Sequence, residues 1–270
     1  MRKMFVLPAI FIVILLAWCS FAAIYVNAAH PGAASQQGTK GKASNTHPTP
    51  TPLTVSDKPA TLPPALKDQV VSQAHTGHHE IALTFDDGPY PYYTSQILAI
   101  LQRYQVHATF FCIGKNVQNY PLLVQQEYAG GHAIGNHTWD HADLTKLSRF
   151  GIQREITSAS TVIQHTIGIS PTLLRPPYGA ITFSVRAQIV QLHLIPVMWS
   201  VDTEDWQRPG TNAIIRAVLT HASDGGIILM HDGGGNRLQT VAALPYIIEG
   251  LRQRGYEFVT VPQLLKDRSA

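Results

Sequence analysis

The sequence IALTFDDGP, at residues 81–89, joins an apolar run to a pair of acids and a turn. The apolar part, residues 81–85, has the length and composition of a short buried strand. The dipeptide Gly-Pro then turns the chain, so Asp86 and Asp87 fall at the strand end, where two ionised neighbours avoid the cost of full burial. The pair fits an ordinary turn, because turns favour Asp and Gly. It equally fits a site in which one carboxylate binds a metal ion and the other acts as a base.

The alternation of strand-like and helix-like segments continues from this stretch toward the C-terminus. Such alternation predicts parallel strands joined by helical crossovers, arranged either as a barrel or as an open doubly wound sheet. The predicted strands lie at residues 81–85, 108–113, 132–135, 173–174, 195–199, 227–230 and 258–259. The predicted helices lie at residues 95–104, 121–130, 149–167, 183–192, 213–221 and 238–254.

An uncharged apolar run occupies residues 5–26, directly after Arg2 and Lys3. As a helix it would be about 33 Å long, which is enough to span the hydrocarbon core of a bilayer. The length favours an uncleaved anchor, whereas Val-Asn-Ala at residues 26–28 fits a signal-peptide cleavage site. We therefore expect residues 1–28 to be a signal anchor or a signal peptide, and either role exports the rest of the chain.

The next segment, residues 29–77, is rich in Pro, Thr, Gly and Ser and is predicted to be a disordered extracytoplasmic Pro/Thr-rich linker. Residues 78–264 are then the folded domain, and residues 265–270 a C-terminal tail. The protein should accordingly work outside the cytoplasm, either anchored in the membrane or secreted.

Charge and cysteine content exclude some classes of protein. The net charge of +3 divides into +4 on residues 1–79 and −1 on residues 80–270, so the folded part has no basic excess for nucleic acid. Charged residues make up 14% of the chain, against about 25% in average proteins. The two cysteines, Cys19 and Cys112, fall in different segments. The folded part therefore has no internal disulfide and depends on its apolar core.

The sequence HTWDH at residues 137–141 follows the predicted strand at 132–135. Histidines four residues apart point to one side of a helical turn, so their nitrogens can converge on one cation. Such pairs also arise by chance, but the position at a strand end favours a metal site. Asp87 with His137 and His141 leaves coordination positions open, as in catalytic zinc sites.

Three further motifs follow predicted strands. RPPYG, at residues 175–179, is either a tight surface connection or a rigid loop that holds a guanidinium beside a carboxylate. DTEDW, at residues 202–206, is either a solvated loop or part of the same site. His231, at the end of the strand at 227–230, could be an ordinary core histidine. Because parallel α/β folds place their active sites at the carboxyl ends of the strands, the shared position favours one site.

In this order and spacing, these motifs resemble the five motifs of the polysaccharide deacetylase family, also called the NodB homology domain or carbohydrate esterase family four. The resemblance covers residues 78–264 and implies a distorted (β/α)7-type barrel. The residues that carry it are TFDDGP at 84–89, HTWDH at 137–141, RPPYG at 175–179, DTEDW at 202–206 and LMH at 229–231.

The resemblance also implies a metal and a base. The metal ligands would be Asp87, His137 and His141. Asp86 would be the catalytic base, and Arg175 would orient and charge it. Zinc is the expected metal, although this ligand set also accepts Co²⁺, Ni²⁺ or Mn²⁺.

The resemblance implies that the remaining motif residues either bind the acetyl group or protonate the leaving amine. The backbone N–H of Tyr178 would bind the oxyanion, and Trp206 and Leu229 would wall the acetyl pocket. His231 would be the general acid, tuned by Asp205. Three acids in these motifs receive no role: Asp202, Glu204 and Asp232.

The leading hypothesis is a metal-dependent enzyme that removes N-acetyl groups from N-acetylglucosamine-type residues of an extracytoplasmic polysaccharide, peptidoglycan or chitin-like, and releases acetate. Two alternatives stay open: an O-acetyl esterase on a xylan-like polymer, and a non-catalytic carbohydrate-binding homologue. The expected partners are the acetylated glycan and, if the leader is uncleaved, the membrane. No nucleic acid and no obligate protein partner is expected.

Overall fold

The computed structural model of the chain describes residues 69–268. The apolar helix predicted at residues 5–26, its signal or anchor role, and most of the predicted linker lie outside the described residues. Within the described part, no helix is both long and apolar enough to cross a membrane.

The described residues form one sheet of eight strands, and every strand pairing within it is parallel. The strands are β1 (Glu80–Asp86), β2 (Thr109–Cys112), β3 (Ala133–Asn136), β4 (Leu173–Leu174), β5 (Ile195–Pro196), β6 (Val201–Asp202), β7 (Gly226–His231) and β8 (Glu257–Phe258). The helices are α1 (Pro91–Tyr104), α2 (Gly114–Asn119), α3 (Pro121–Ala129), α4 (Arg149–Ile167), α5 (Phe183–Gln191), α6 (Thr211–His221), α7 (Leu238–Gln253) and α8 (Val261–Asp267).

The strand order is β5-β4-β3-β2-β1-β7-β6, with β8 added to β1. Among the described residues no ladder joins β5 to β6, so the barrel stays open between these two strands. The segment before β1 lies across this side: Val71 bridges to Val197, and Gln73 bridges to Gly226. Val71 and Ala74 are buried. The folded part therefore begins before residue 78, inside the segment that composition assigned to the linker.

The two faces of β1 show how the core divides. Ile81, Leu83 and Phe85 point outward into an apolar layer shared with α1 and α7. Ala82 points inward, into a second layer shared with β2, β4, β5, β7 and α8. Because side chains alternate along a strand, Asp86 lies on the inner face as well. The first acid of the pair is thus delivered to the inside of the barrel, at the carboxyl end of its central strand.

The predicted and observed elements agree in order and differ at their edges. The alternation did not reveal β6, α2 or α8, because each is short and offers too few residues for a periodic pattern. α1 begins at Pro91 rather than at residue 95, and proline suits the first turn of a helix. At the other end, Leu265 is 3% exposed and packs in the inner layer, so α8 includes part of the predicted tail.

Candidate active site

Three potential metal ligands meet at the carboxyl ends of β1 and β3. Asp87 Oδ1 lies 3.5 Å from His137 Nε2 and 3.2 Å from His141 Nε2. All three ligand atoms lie within 4.8 Å of one another. Asp87 Oδ1 is buried and has no hydrogen-bond partner, and His137 Nδ1 donates to the carbonyl of Arg175 at 2.7 Å, which turns Nε2 toward Asp87. An orphaned carboxylate oxygen beside two imidazole nitrogens fits a divalent metal.

The two histidines do not converge on a helical turn, and that prediction is wrong. Residues 137–141 have no helical structure. Thr138 and His141 instead adopt left-handed backbone conformations, with φ of 66° and 64°. Two backbone N–H groups between the histidines donate to Glu155 Oε2 of α4, at 3.1 and 3.2 Å. Bent backbone, held by a buried carboxylate, brings the rings together, and such strain is typical of functional sites.

The electrostatics of the three potential ligands, Asp87, His137 and His141, favour a positive charge between them. Burial opposes ionisation of Asp87, yet His137, His231 and His141 hold its pKa well below the usual range. Burial also opposes protonation of His137, but Asp86 and Asp87 outweigh that cost and raise its pKa. The pKa of His141 is lowered by burial and by the neighbouring His137. Two carboxylates facing one imidazole create a place where a cation is stabilised.

The expectation that the strand end spares Asp86 and Asp87 from burial is wrong, because Asp86 is 3% and Asp87 9% exposed. Asp86 instead forms a buried ion pair beside Asp87, His137 and His141. Arg175 Nη1 donates to Asp86 Oδ1 at 2.7 Å and to Thr84 Oγ1 at 2.8 Å. Its other nitrogens donate to two backbone carbonyls that follow β5. Asp86 Oδ2 is left facing the three potential ligands, 3.7 Å from His137 Nε2. This geometry leaves one oxygen of the carboxylate available to take a proton.

His231, at the end of β7, is held from behind by Asp205. Its Nδ1 donates to Asp205 Oδ1 at 2.6 Å, and its backbone N–H donates to Oδ2 at 2.9 Å. Thr240 Oγ1 also donates to Asp205 Oδ2, at 2.6 Å. Burial opposes the charged form of His231, but Asp205 outweighs it and raises the pKa of the imidazole. Burial likewise opposes ionisation of Asp205, whose pKa is nevertheless lowered by His231 and Thr240.

Tyr178 sits in a strained turn at the cleft. Its φ of 61° and ψ of 9° are left-handed, although it is not a glycine. Its backbone N–H has no backbone acceptor among residues 69–268. Its ring packs edge-on against His141, with centroids 4.6 Å apart. The turn therefore exposes a backbone donor next to the candidate metal site.

A cavity of about 620 Å³ joins these groups. Eight of the ten site residues predicted from the sequence line it: Asp86, Asp87, His137, His141, Tyr178, Trp206, Leu229 and His231. Arg175 and Asp205 lie behind, each bonded to a lining residue. Leu229 is 4% exposed and Trp206 is 54% exposed, so one lies deep and the other at the rim. The structure thus brings all ten together.

Several supporting residues were not found from the sequence. Asn116 of α2 donates to the backbone carbonyl of Asp87 at 2.8 Å, and Thr240 of α7 holds Asp205. Nothing local marks either residue. Glu155 does carry a signal: it is an acid on the apolar stripe of α4, beside the buried Ile152 and Ile156. A buried acid on an apolar helix face requires a partner. The partners of Glu155 are backbone N–H groups of residues 137–141, which we call the histidine loop.

Comparison with known proteins identifies the family. The polysaccharide deacetylase family profile matches residues 73–197. A peptidoglycan-N-acetylglucosamine deacetylase of Bacillus cereus is 43% identical over 188 residues, which cover 69% of this chain and 88% of the relative. The chain belongs to the polysaccharide deacetylase family. Membership of this family makes it a metal-dependent hydrolase of acetylated carbohydrate, as the motifs predicted.

Other members show the range of the family. A chitooligosaccharide deacetylase of Bradyrhizobium sp. is 39% identical over 201 residues, which cover 70% of this chain and 92% of the Bradyrhizobium protein. A crystal structure of a peptidoglycan N-acetylglucosamine deacetylase superposes with a TM-score of 0.71 at 35% identity, covering 73% of this chain and 92% of that one. This similarity confirms the predicted distorted (β/α)7-type barrel.

Proposed function

We propose that this deacetylase removes the acetyl group from N-acetylglucosamine-type residues of peptidoglycan or a chitin-like polysaccharide outside the cytoplasm. The observation that carries the proposal is the meeting of three units in one cleft: Asp87 with two histidines, Asp86 with Arg175, and His231 with Asp205. The named relatives act on peptidoglycan and chitooligosaccharide. Export by residues 1–28 is part of the same proposal, with a spacer that begins at residue 29 and ends before the packed segment at Val71.

The proposed metal ligands are Asp87, His137 and His141. A divalent metal held by these three residues, for which zinc is our candidate, would lower the pKa of bound water and polarise the acetyl carbonyl. This chemistry suits an amide, whose carbonyl is a poor electrophile. Co²⁺, Ni²⁺ and Mn²⁺ also accept these donors, so reconstitution of metal-free protein with each ion would establish the preference.

Attack begins with proton removal. Asp86 Oδ2 accepts a proton from the attacking water, while Arg175 holds Oδ1 and fixes the orientation of the carboxylate. The oxygen of the former water then forms a bond to the acetyl carbon. The carbonyl π electrons move to its oxygen, which accepts a hydrogen bond from the backbone N–H of Tyr178.

Collapse of the tetrahedral intermediate requires protonation of nitrogen, because a sugar amine is a poor leaving group as an anion. His231 donates that proton from Nε2, since its Nδ1–H is bonded to Asp205. The C–N bond breaks, and the products are acetate and the free amino sugar. Trp206 and Leu229 line the part of the cleft that would receive the acetyl methyl group.

The deciding experiment is product analysis on a panel of glycans. Purified protein with added zinc is incubated with N-acetylglucosamine oligomers, peptidoglycan and acetylxylan, and acetate is measured together with the product masses. Acetate from the first two, with amino sugar in the product, is the expected result. Acetate from acetylxylan alone would identify an O-acetyl esterase, and glycan binding without any release would identify a non-catalytic homologue.

A further inference from the structure

Arg237 is a buried cation in the wall of the substrate cleft, and the proposed reaction gives it no task. Its residue surface is 4% exposed, and it lines the cavity together with Asp87 and Gly234. Nε donates to the carbonyl of Gly233 at 2.7 Å, and Nη1 to the carbonyl of Asn236 at 3.3 Å. Nη2 has no hydrogen-bond acceptor among residues 69–268.

The two buried arginines of the site differ in their counter-charge. Arg175 lies 2.7 Å from the carboxylate of Asp86. Arg237 makes no ion pair with any carboxylate in the described part of the chain. Backbone carbonyls satisfy two of its N–H groups but leave its charge uncompensated, and an unpaired buried charge is costly. A guanidinium with a free nitrogen at a cleft therefore suits an anion that arrives with the substrate.

The loop before Arg237 places the guanidinium, and therefore any anion bound to it, close to the reaction centre. A Cβ on Gly234 would overlap Asp87 Oδ2, so the loop packs directly against a proposed metal ligand. A Cβ on Gly235 would lie 3.6 Å from Arg237 Nη2. Glycine at this position therefore leaves the free nitrogen uncovered by a side chain. The anion would accordingly lie next to the reacting sugar.

We propose that Arg237 binds a carboxylate of a peptidoglycan-type substrate, beside the N-acetylglucosamine residue that loses its acetyl group. Acetylated chitin-like chains are neutral, whereas peptidoglycan has carboxylates, either on the lactyl group of its muramic acid or on the attached peptide. Arg237 would then favour peptidoglycan over chitin-like chains. This inference rests on the proposed deacetylase function.

The test compares three forms of one disaccharide, N-acetylglucosaminyl-N-acetylmuramic acid. The first has a free lactyl carboxylate, the second carries that group as a neutral primary amide, and the third carries a dipeptide whose only carboxylate is on the peptide. For each, kcat/KM is measured by acetate release with wild-type protein, Arg237→Gln and Arg216→Gln. Arg216 is an exposed residue of α6 and controls for the loss of one positive charge.

Wild-type protein should prefer one carboxylate form over the neutral amide, and the preferred form identifies the source of the anion. Arg237→Gln should reduce that preference about tenfold, the usual effect of losing a charged hydrogen bond, while Arg216→Gln keeps it. The ratio of kcat/KM for the carboxylate form to kcat/KM for the neutral amide separates loss of anion recognition from a general loss of loop structure. A general loss lowers kcat/KM for all three forms equally and leaves the ratio unchanged. No preference in wild-type protein, or a preference that survives Arg237→Gln, would overturn the inference.

Calorimetric titration with the same disaccharides separates this inference from the proposed function. If wild-type protein releases no acetate from any of them, the deacetylase assignment fails. Tighter binding of a carboxylate form, lost in Arg237→Gln, would still establish the anion subsite. Equal binding of charged and neutral forms would remove it.

Discussion

At the scale of single residues, the site separates the proposed metal ligand Asp87 from the proposed base Asp86, although the two are adjacent in the chain. Asp86 belongs to the regular strand and points into the barrel, where Arg175 neutralises it. Asp87 has a φ of 74° and leaves the strand, so its carboxylate turns to the histidines instead. One change of backbone conformation thus gives two neighbouring acids different surroundings, which suit the two roles that we propose for them.

The first prediction concerns these two acids. Asp87→Ala should lose both bound zinc and activity, because it removes a ligand. Asp86→Asn should retain zinc, but acetate release should fall by about 10²- to 10⁴-fold, because the amide cannot accept a proton. Metal content by mass spectrometry and acetate release measure the two effects. Substantial activity in Asp86→Asn would show that another group is the base.

A second prediction concerns the pH dependence set by Asp205. His231 must be protonated to donate, and its protonated fraction falls as pH rises through its pKa. Asp205 raises that pKa, so it extends activity toward higher pH. Asp205→Asn should therefore move the alkaline limb of the kcat/KM profile to lower pH, besides lowering its maximum. An alkaline limb at the same pH in both proteins would argue against His231 as the acid.

At the scale of elements, the histidine loop depends on α4. The loop contributes two of the three proposed metal ligands and has no regular structure of its own. Glu155 is 5% exposed and accepts two hydrogen bonds from the loop backbone. α4 itself is anchored by the apolar residues on the same face. The helix therefore transmits the rigidity of the core to the proposed metal site.

The third prediction follows from this contact. Glu155→Leu keeps an apolar residue on the buried face of α4 and removes both acceptors. Zinc affinity, measured by competition with a chelator, should fall about 10- to 100-fold, as is usual when residues supporting metal ligands are lost. Gln153→Leu, at an exposed position of the same helix, is the matched control. Unchanged zinc affinity in Glu155→Leu would mean that the loop holds its shape without α4.

At the scale of the whole folded part, function depends on parallel strands that deliver their ends to one face. β1, β3 and β7 contribute Asp86, Asn136 and His231 as their last residues. The sheet is open between β5 and β6. On this side, the segment at residues 71–73 forms bridges to Val197, which directly follows β5, and to Gly226 of β7. This segment packs apolar side chains into the inner layer, so it should contribute to stability.

The fourth prediction tests that contribution with two adjacent valines. Val71 is 2% exposed, whereas Val70 is 37% exposed. Val71→Ala should lower the free energy of unfolding by about 1–3 kcal/mol, because it leaves a cavity in the inner layer. Val70→Ala should change it by less than about 0.5 kcal/mol. Urea denaturation of both variants measures the difference, and equal stabilities would show that the segment does not hold the core.

The order of the elements could be predicted because its signals are local, and the ten site residues could be named because their motifs resemble those of the deacetylase family. An apolar run, a Gly-Pro turn and a histidine pair each occupy a few consecutive residues, and parallel strands then place their ends on one face. The resemblance to the deacetylase motifs chose the barrel over the open sheet. The periodicity of the strands was compatible with both.

Contacts between distant residues required the folded chain. Thr240 meets Asp205 across 35 positions, and Val71 meets Val197 from a segment whose composition indicated a spacer. The histidines converge through left-handed backbone and Glu155, not through helical spacing. Arg237 stands out only because the fold buries it in the cleft without a carboxylate. Each outcome depends on packing between segments that are distant in the sequence, and the residues next to each position in the sequence do not indicate that packing.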